Sequence, residues 1–189
     1  MTFTKIFGLP AHPLFVHVPV VLIPLVGIGA IAMACSAWVR ERFGWLVLGL
    51  GVVAGLSTQL AIESGQALRR RVPQSAELRY HVHIAESIRP LILLLFLVAL
   101  AVMLVDRWAR SAWPFSGRES AAASAAESAG ASPRDMGRIG WGILMVVTLL
   151  VAVGTNVRLF QIGDSGAKAT WQRVHLLPEP TNARAGGRG

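Results

Sequence analysis

Residues 8–24 read "GLPAHPLFVHVPVVLIP" and place His12 and His17 at the mouth of an apolar run. Imidazole titrates near neutral pH and binds metals through either ring nitrogen. An ionisable group inside an apolar segment is costly, so it usually faces a partner, a cavity or the interior of a bundle. A second pair, His81 and His83, stands in "HVHIAES", with Glu86 close behind. Positions two apart on a helix point about 200° apart, so only one of this pair can face His17. Glu63, Arg158 and Asp164 end or follow other apolar runs, and His175 follows the last.

Three kinds of chemistry fit this set. His17 with His81 or His83 could be the axial ligands of a b-type haem, which takes neutral imidazoles from facing elements of a bundle. Gly55, Ser57 and Gly65 would leave room for a porphyrin. His17, His81, Glu63 and Glu86 could instead hold a divalent metal or carry protons. Or the groups could only tie helix ends together by hydrogen bonds. Spacing leaves all three open. The chain has no nucleophile elbow, no G-x-G-x-x-G, no C-x-x-C and no H-E-x-x-H, so nothing in it points to a soluble enzyme.

The elements that must position these groups are membrane spans. Of 189 residues, 53% are hydrophobic and only 15% charged, with mean hydropathy +0.54. A soluble domain is usually nearer a quarter charged. Crossing about 30 Å of hydrocarbon takes about 20 apolar residues. Uncharged runs cover 14–39, 45–62, 90–105 and 139–157. The third is short, so its helix is expected to start earlier, with His81, His83 and Glu86 in its first turns. The expected spans are about 14–39, 45–62, 84–106 and 139–160. The first is too long for the apolar region of a signal peptide and is expected to remain as a span.

The fold class is therefore all-α: an integral membrane four-helix bundle, up-down-up-down, one domain over 1–175, with both termini on the same side. Residues 40–44 read as a tight turn and 64–80 as a polar connection containing three arginines, 69–71. Residues 116–133 are an Ala/Ser-rich low-complexity loop, and 176–189 read as a disordered tail. Residues 163–171, "GDSGAKATW", read as a turn that returns Trp171 to the interface. Gly51 and Gly55 form a G-x-x-x-G suited to close helix packing. Cys35 allows no internal disulfide and is expected to pack as a small apolar residue.

With four spans, Trp38, Trp45, Trp108, Trp113 and Trp141 fall at one end, as an aromatic belt would. All five histidines fall at the other, with Glu63, Glu86, Arg158 and Asp164. The net charge of +8 flanks the spans, which excludes nucleic acid as the expected partner in favour of the lipid bilayer. Basic residues are more numerous on the histidine side. The positive-inside rule then puts both termini in the cytoplasm of a bacterial inner membrane.

The ordered blocks "GLPAHPLFVHVPVVLIPL", "ESGQAL", "HVHIAES" and "IGDSGAKATW" resemble the bacterial predicted membrane proteins grouped as domain of unknown function 2231. The resemblance covers roughly residues 7–171. It matches His12 and His17 to family histidines, residues 64–68 to an S-G-E/Q-x-L block, and residues 81–86 to H-A-E-L-G-E. On that match His81 is the motif histidine, and His83 replaces an acid. Many members read "GHSGA" where this chain has Asp164 in "GDSGA". Some are fused to Rieske iron–sulfur domains, which implies a redox setting. The function expected is a small membrane subunit that binds a b-type haem through His17 and His81 or transfers electrons. Its redox partner would be a Rieske-type or cytochrome protein. His12, Glu63, His83, Glu86, Arg158 and Asp164 would surround the ligands. The alternative is a non-enzymatic membrane protein whose His/Glu cluster is structural or handles protons or divalent metal ions.

Overall fold

Helix boundaries follow local chemistry in the computed structural model, which describes residues 5–6, 9–70, 72, 74–111 and 133–171. A short antiparallel pair, β1 (Lys5–Ile6) and β2 (Leu9–Pro10), precedes α1 (Ala11–Cys35). Then come α2 (Ala37–Arg69), α3 (Ala76–Glu86), α4 (Ile88–Ser111) and α5 (Pro133–Trp171). Ser36 caps α2, its hydroxyl accepting from Val39 N–H, and Ser75 caps α3 by accepting from Leu78 N–H at 3.1 Å. Such caps satisfy amides that the first turn leaves unpaired. The break at Ser87 has a different cause. Pro90 has no N–H to give the Glu86 carbonyl, and its ring crowds that turn. Pro133 opens α5, where a missing N–H costs nothing.

Counting α3 and α4 together, four helices among the described residues are long and apolar enough to cross a membrane: Leu14–Cys35, Ala37–Arg69, Ala76–Ser111 and Gly137–Trp171. Early entry into the third span, with His81, His83 and Glu86 in its first turns, is as expected. Three local expectations need correction. The chain turns at Ser36, and residues 40–44 are helical. Residues 163–171 continue α5 and form no turn. Cys35 is exposed at the end of α1, because the inward side of that last turn is taken by Met33 and Ala34. Residues 116–132, the tail 176–189, Trp113 and His175 lie outside the described residues.

Each helix buries one stripe. On α1 it is Ile23, Val26, Ala30 and Met33; on α4 it is Ile88, Ile92, Leu95, Ala99 and Val102. Steps of three and four residues keep such a stripe on one face. Gly51 admits Phe96 of α4: a Cβ there would meet its ring at 3.0 Å. Gly27 likewise makes room for Asn156 of α5, and Gly29 for Val47 of α2. The buried hydroxyls of Thr58, Thr148 and Thr155 donate to carbonyls four residues back, so they sit inside apolar helices without an unmet donor. The outward faces are apolar too, with Val21, Ile28, Leu56, Leu93 and Leu150 exposed. Water would penalise so much exposed apolar surface; hydrocarbon does not.

The end remote from most of the histidines is closed by charge. Arg40 of α2 pairs with Asp106 of α4 at 3.0 Å, both side chains nearly buried. Arg110 joins Asp106 to Glu41. The Arg40 guanidinium also lies over the Trp141 ring at 4.5 Å, and Arg107 over Trp45 at 5.3 Å. These contacts gather the start of α2, the end of α4 and the start of α5. A thiol placed at Ser111 should therefore be labelled from the opposite face of the membrane to one placed at Ser75, each in a Cys35→Ser background. Labelling of both from one face would overturn the crossing of the third span.

Candidate cofactor site

At the other end, α1 brings His12 over the last turns of α2. Its Nδ1 lies 2.9 Å from the Ala61 carbonyl and 3.3 Å from Ser64 Oγ. A carbonyl only accepts, so Nδ1 carries the proton and Nε2 keeps its lone pair. Contact this close needs Gly65, where a Cβ would stand 2.9 Å from His12 Cε1.

The arrangement recurs on the other pair of helices. His81 of α3 lies over the last turns of α5, with Nδ1 2.9 Å from Ser165 Oγ. Ser165 gives its own proton to the Ile162 carbonyl at 2.9 Å, so its oxygen accepts and His81 Nδ1 donates. Ser64 likewise donates to the Ala61 carbonyl at 2.9 Å. Gly166 supplies the clearance, with a Cβ there 3.1 Å from His81 Cε1. Thus "ESG" at 63–65 and "DSG" at 164–166 each present a serine and a glycine to one imidazole. Both imidazoles are held as the Nδ1–H form. Among the described residues no hydrogen bond reaches Nε2 of either ring.

Both imidazoles line one cavity of about 670 Å³, within the usual range for small-molecule sites. Its walls are mostly apolar, from Val16, Ile23, Ile62, Leu78, Ile88 and Leu159 among others. Its polar members include His17, Gln66, Arg69 and Glu86. His17 sits further along α1, on its more exposed side. Gln66 donates to Glu86 at 3.0 Å, linking α2 to α3. His83 is exposed, as expected of the member of the pair that faces away. Glu63 accepts from Gln59, Arg158 donates to Gln161, and Asp164 pairs with Lys168. None of these four lines the cavity. Among the described residues no three His, Cys, Asp or Glu side chains gather as a metal cluster.

The sequence reading did not foresee the contacts of His12 with Ala61 and Ser64. A signal for them is the acid-Ser-Gly triplet, which occurs once near the end of the second span and once near the end of the fourth.

Burial pushes the His12 imidazole below its ordinary pKa, and its bond to the Ala61 carbonyl offsets part of that. The unfolded chain then takes up this proton first, near pH 6.5. The His12 contribution to stability is full above that pH. It falls as the pH drops from about 6.5 through the lower value of the folded protein. The melting temperature in detergent should therefore decline from pH 7.5 to 5.5, and less steeply for His12→Gln. Equal slopes would remove His12 as a source of the acid sensitivity.

A family profile described as "Predicted membrane protein (DUF2231)" matches residues 8–176. No curated protein and no solved structure matches the chain.

Proposed function

The chain belongs to this family of predicted membrane proteins, and from that premise we propose that it is a small bacterial inner-membrane subunit that binds a b-type haem and transfers electrons, with His12 and His81 as the residues that would hold the iron. One observation supports this reading above the others. Two imidazoles from different helices line one apolar cavity, each with Nδ1–H anchored and Nε2 left with a lone pair. Metal-binding histidines are commonly held this way, the far ring nitrogen donating to a carbonyl or another acceptor. We retain His81 from the expected pair and propose His12 as the second residue, because the Ser64–Gly65 seat of His12 is repeated by Ser165–Gly166 at His81.

Bound haem would supply a one-electron couple, set by its ligands and surroundings. The protein's part is to fix both rings and exclude water. Ser64, Ser165 and the Ala61 carbonyl hold the rings. The mostly apolar walls would limit the water beside them. The electron partner is a Rieske-type or cytochrome protein, by analogy with family members fused to Rieske domains. The basic residues near the histidine end favour the cytoplasm as the side on which that end lies.

Protein expressed with ample haem should be coloured when purified. Its reduced-minus-oxidised spectrum should show a Soret band and a sharp alpha band, with about one iron per chain or per dimer. Colourless protein that takes up no added haem would overturn the proposal and leave the histidines as a structural, proton-handling or metal-ion set.

A further inference from the structure

The cavity has mostly apolar walls, and among its polar members the last turn of α2 places a cation, Arg69. Arg69 is half-buried, and its Nε donates to Gln74 Oε1 at 3.3 Å. Among the described residues no carboxylate pairs with it. The acid that lines the cavity, Glu86, accepts from Gln66. Guanidinium presents donors in a planar fork that fits a carboxylate with two parallel bonds. A cation of this kind at the edge of an apolar chamber is suited to a ligand with an apolar body and an anionic end.

We propose that Arg69 is the specificity-determining residue of this cavity, and that it selects ligands bearing a carboxylate on an apolar body. The inference extends the haem reading, since haem carries two propionates, but a fatty acid has the same chemistry. Gln74 steadies the guanidinium through Nε and leaves its two terminal nitrogens for the ligand. Its amide also donates to the Arg69 and Val72 carbonyls, so the turn that carries Arg69 is itself tied down. Arg70, next in the chain, does not line the cavity and serves as the control.

The test uses the full chain in detergent, with two pairs of probes. Ferric haem b is compared with its dimethyl ester by Soret titration. A fluorescent polyene fatty acid is compared with its methyl ester by emission. The native protein should bind each acid at least about tenfold more tightly than its ester, the scale of one charge-assisted contact. Arg69→Gln should lower affinity for the acids by a similar factor and leave the esters unchanged. Arg69→Lys should fall between, and Arg70→Gln should match the native protein. Equal binding of acid and ester, or an Arg69→Gln effect no larger than that of Arg70→Gln, overturns the inference. So does failure of both acids to bind. If haem fails but the fatty acid shows the Arg69-dependent preference, the haem reading falls and the carboxylate site stands. If haem and its ester bind alike with a bis-imidazole spectrum, and the fatty acid shows no preference, the reverse holds.

Discussion

Asp106→Ala is expected to destabilise the bundle by about 3–5 kcal/mol, the usual cost of stranding one member of a buried ion pair. The Arg40 and Asp106 side chains are 10% and 12% exposed, so water cannot readily replace the lost carboxylate. Arg40 cannot easily leave. Its guanidinium donates to the Met33 carbonyl at the end of α1 and lies on the Trp141 ring. Arg40 Nε is already buried without a hydrogen-bond partner among the described residues, so no spare acceptor stands ready. Arg110 would also lose its Asp106 contact, though it is exposed and keeps Glu41. Asp106→Asn should cost less, because the amide keeps the shape and one acceptor oxygen. Glu41→Ala should cost no more than about 1 kcal/mol, as exposed pairs do. Equilibrium unfolding in mixed micelles reads all three. An Asp106→Ala value as small as that of Glu41→Ala would show that the cluster closes nothing.

How much of this could be seen in the sequence depends on whether the cause was local. The spans were legible because hydrocarbon demands long uncharged runs, and the early start of the third because 90–105 is too short alone. The turn at Ser36 was not. The apolar run continues through Val39, and composition does not register a serine cap. Residues 163–171 misled for a physical reason. Glycines in a polar stretch suggest a turn, yet Gly166 belongs to a helix and makes room for the ring of His81. The site itself depends on pairs 49 and 84 positions apart, and single-residue spacing carries no trace of such contacts. What the sequence did hold was the histidine-rich end, His81 as the inward member of its pair, and the two acid-Ser-Gly triplets whose equivalence only the fold reveals.

That equivalence supplies the second large effect. If the proposed haem reading holds, His12→Ala and His81→Ala should each lower haem affinity by about 100-fold or more, because each would remove one of the two residues that hold the iron. The groups behind the rings should matter by a related mechanism. Ser165→Ala takes the acceptor from His81 Nδ1–H, so the ring can rotate or carry its proton on the ligating nitrogen. A loss of about 10–100-fold is expected for such partners. Ser64→Ala should cost less, since the Ala61 carbonyl, at 2.9 Å against 3.3 Å, is the closer acceptor for His12. Gly65→Val should mimic His12→Ala, for its added atoms occupy the place of the imidazole. His17→Ala and His83→Ala should leave the spectrum largely intact, since both side chains are on exposed faces of their helices. Measured by Soret titration with reduced spectra, the ordering discriminates between assignments. If His17→Ala abolishes binding while His12→Ala does not, the iron lies further along α1, and the acid-Ser-Gly triplets serve helix packing. If no histidine variant changes binding, any haem taken up is held by the apolar walls alone, and the two anchored imidazoles belong to the structural network that ties the helix ends.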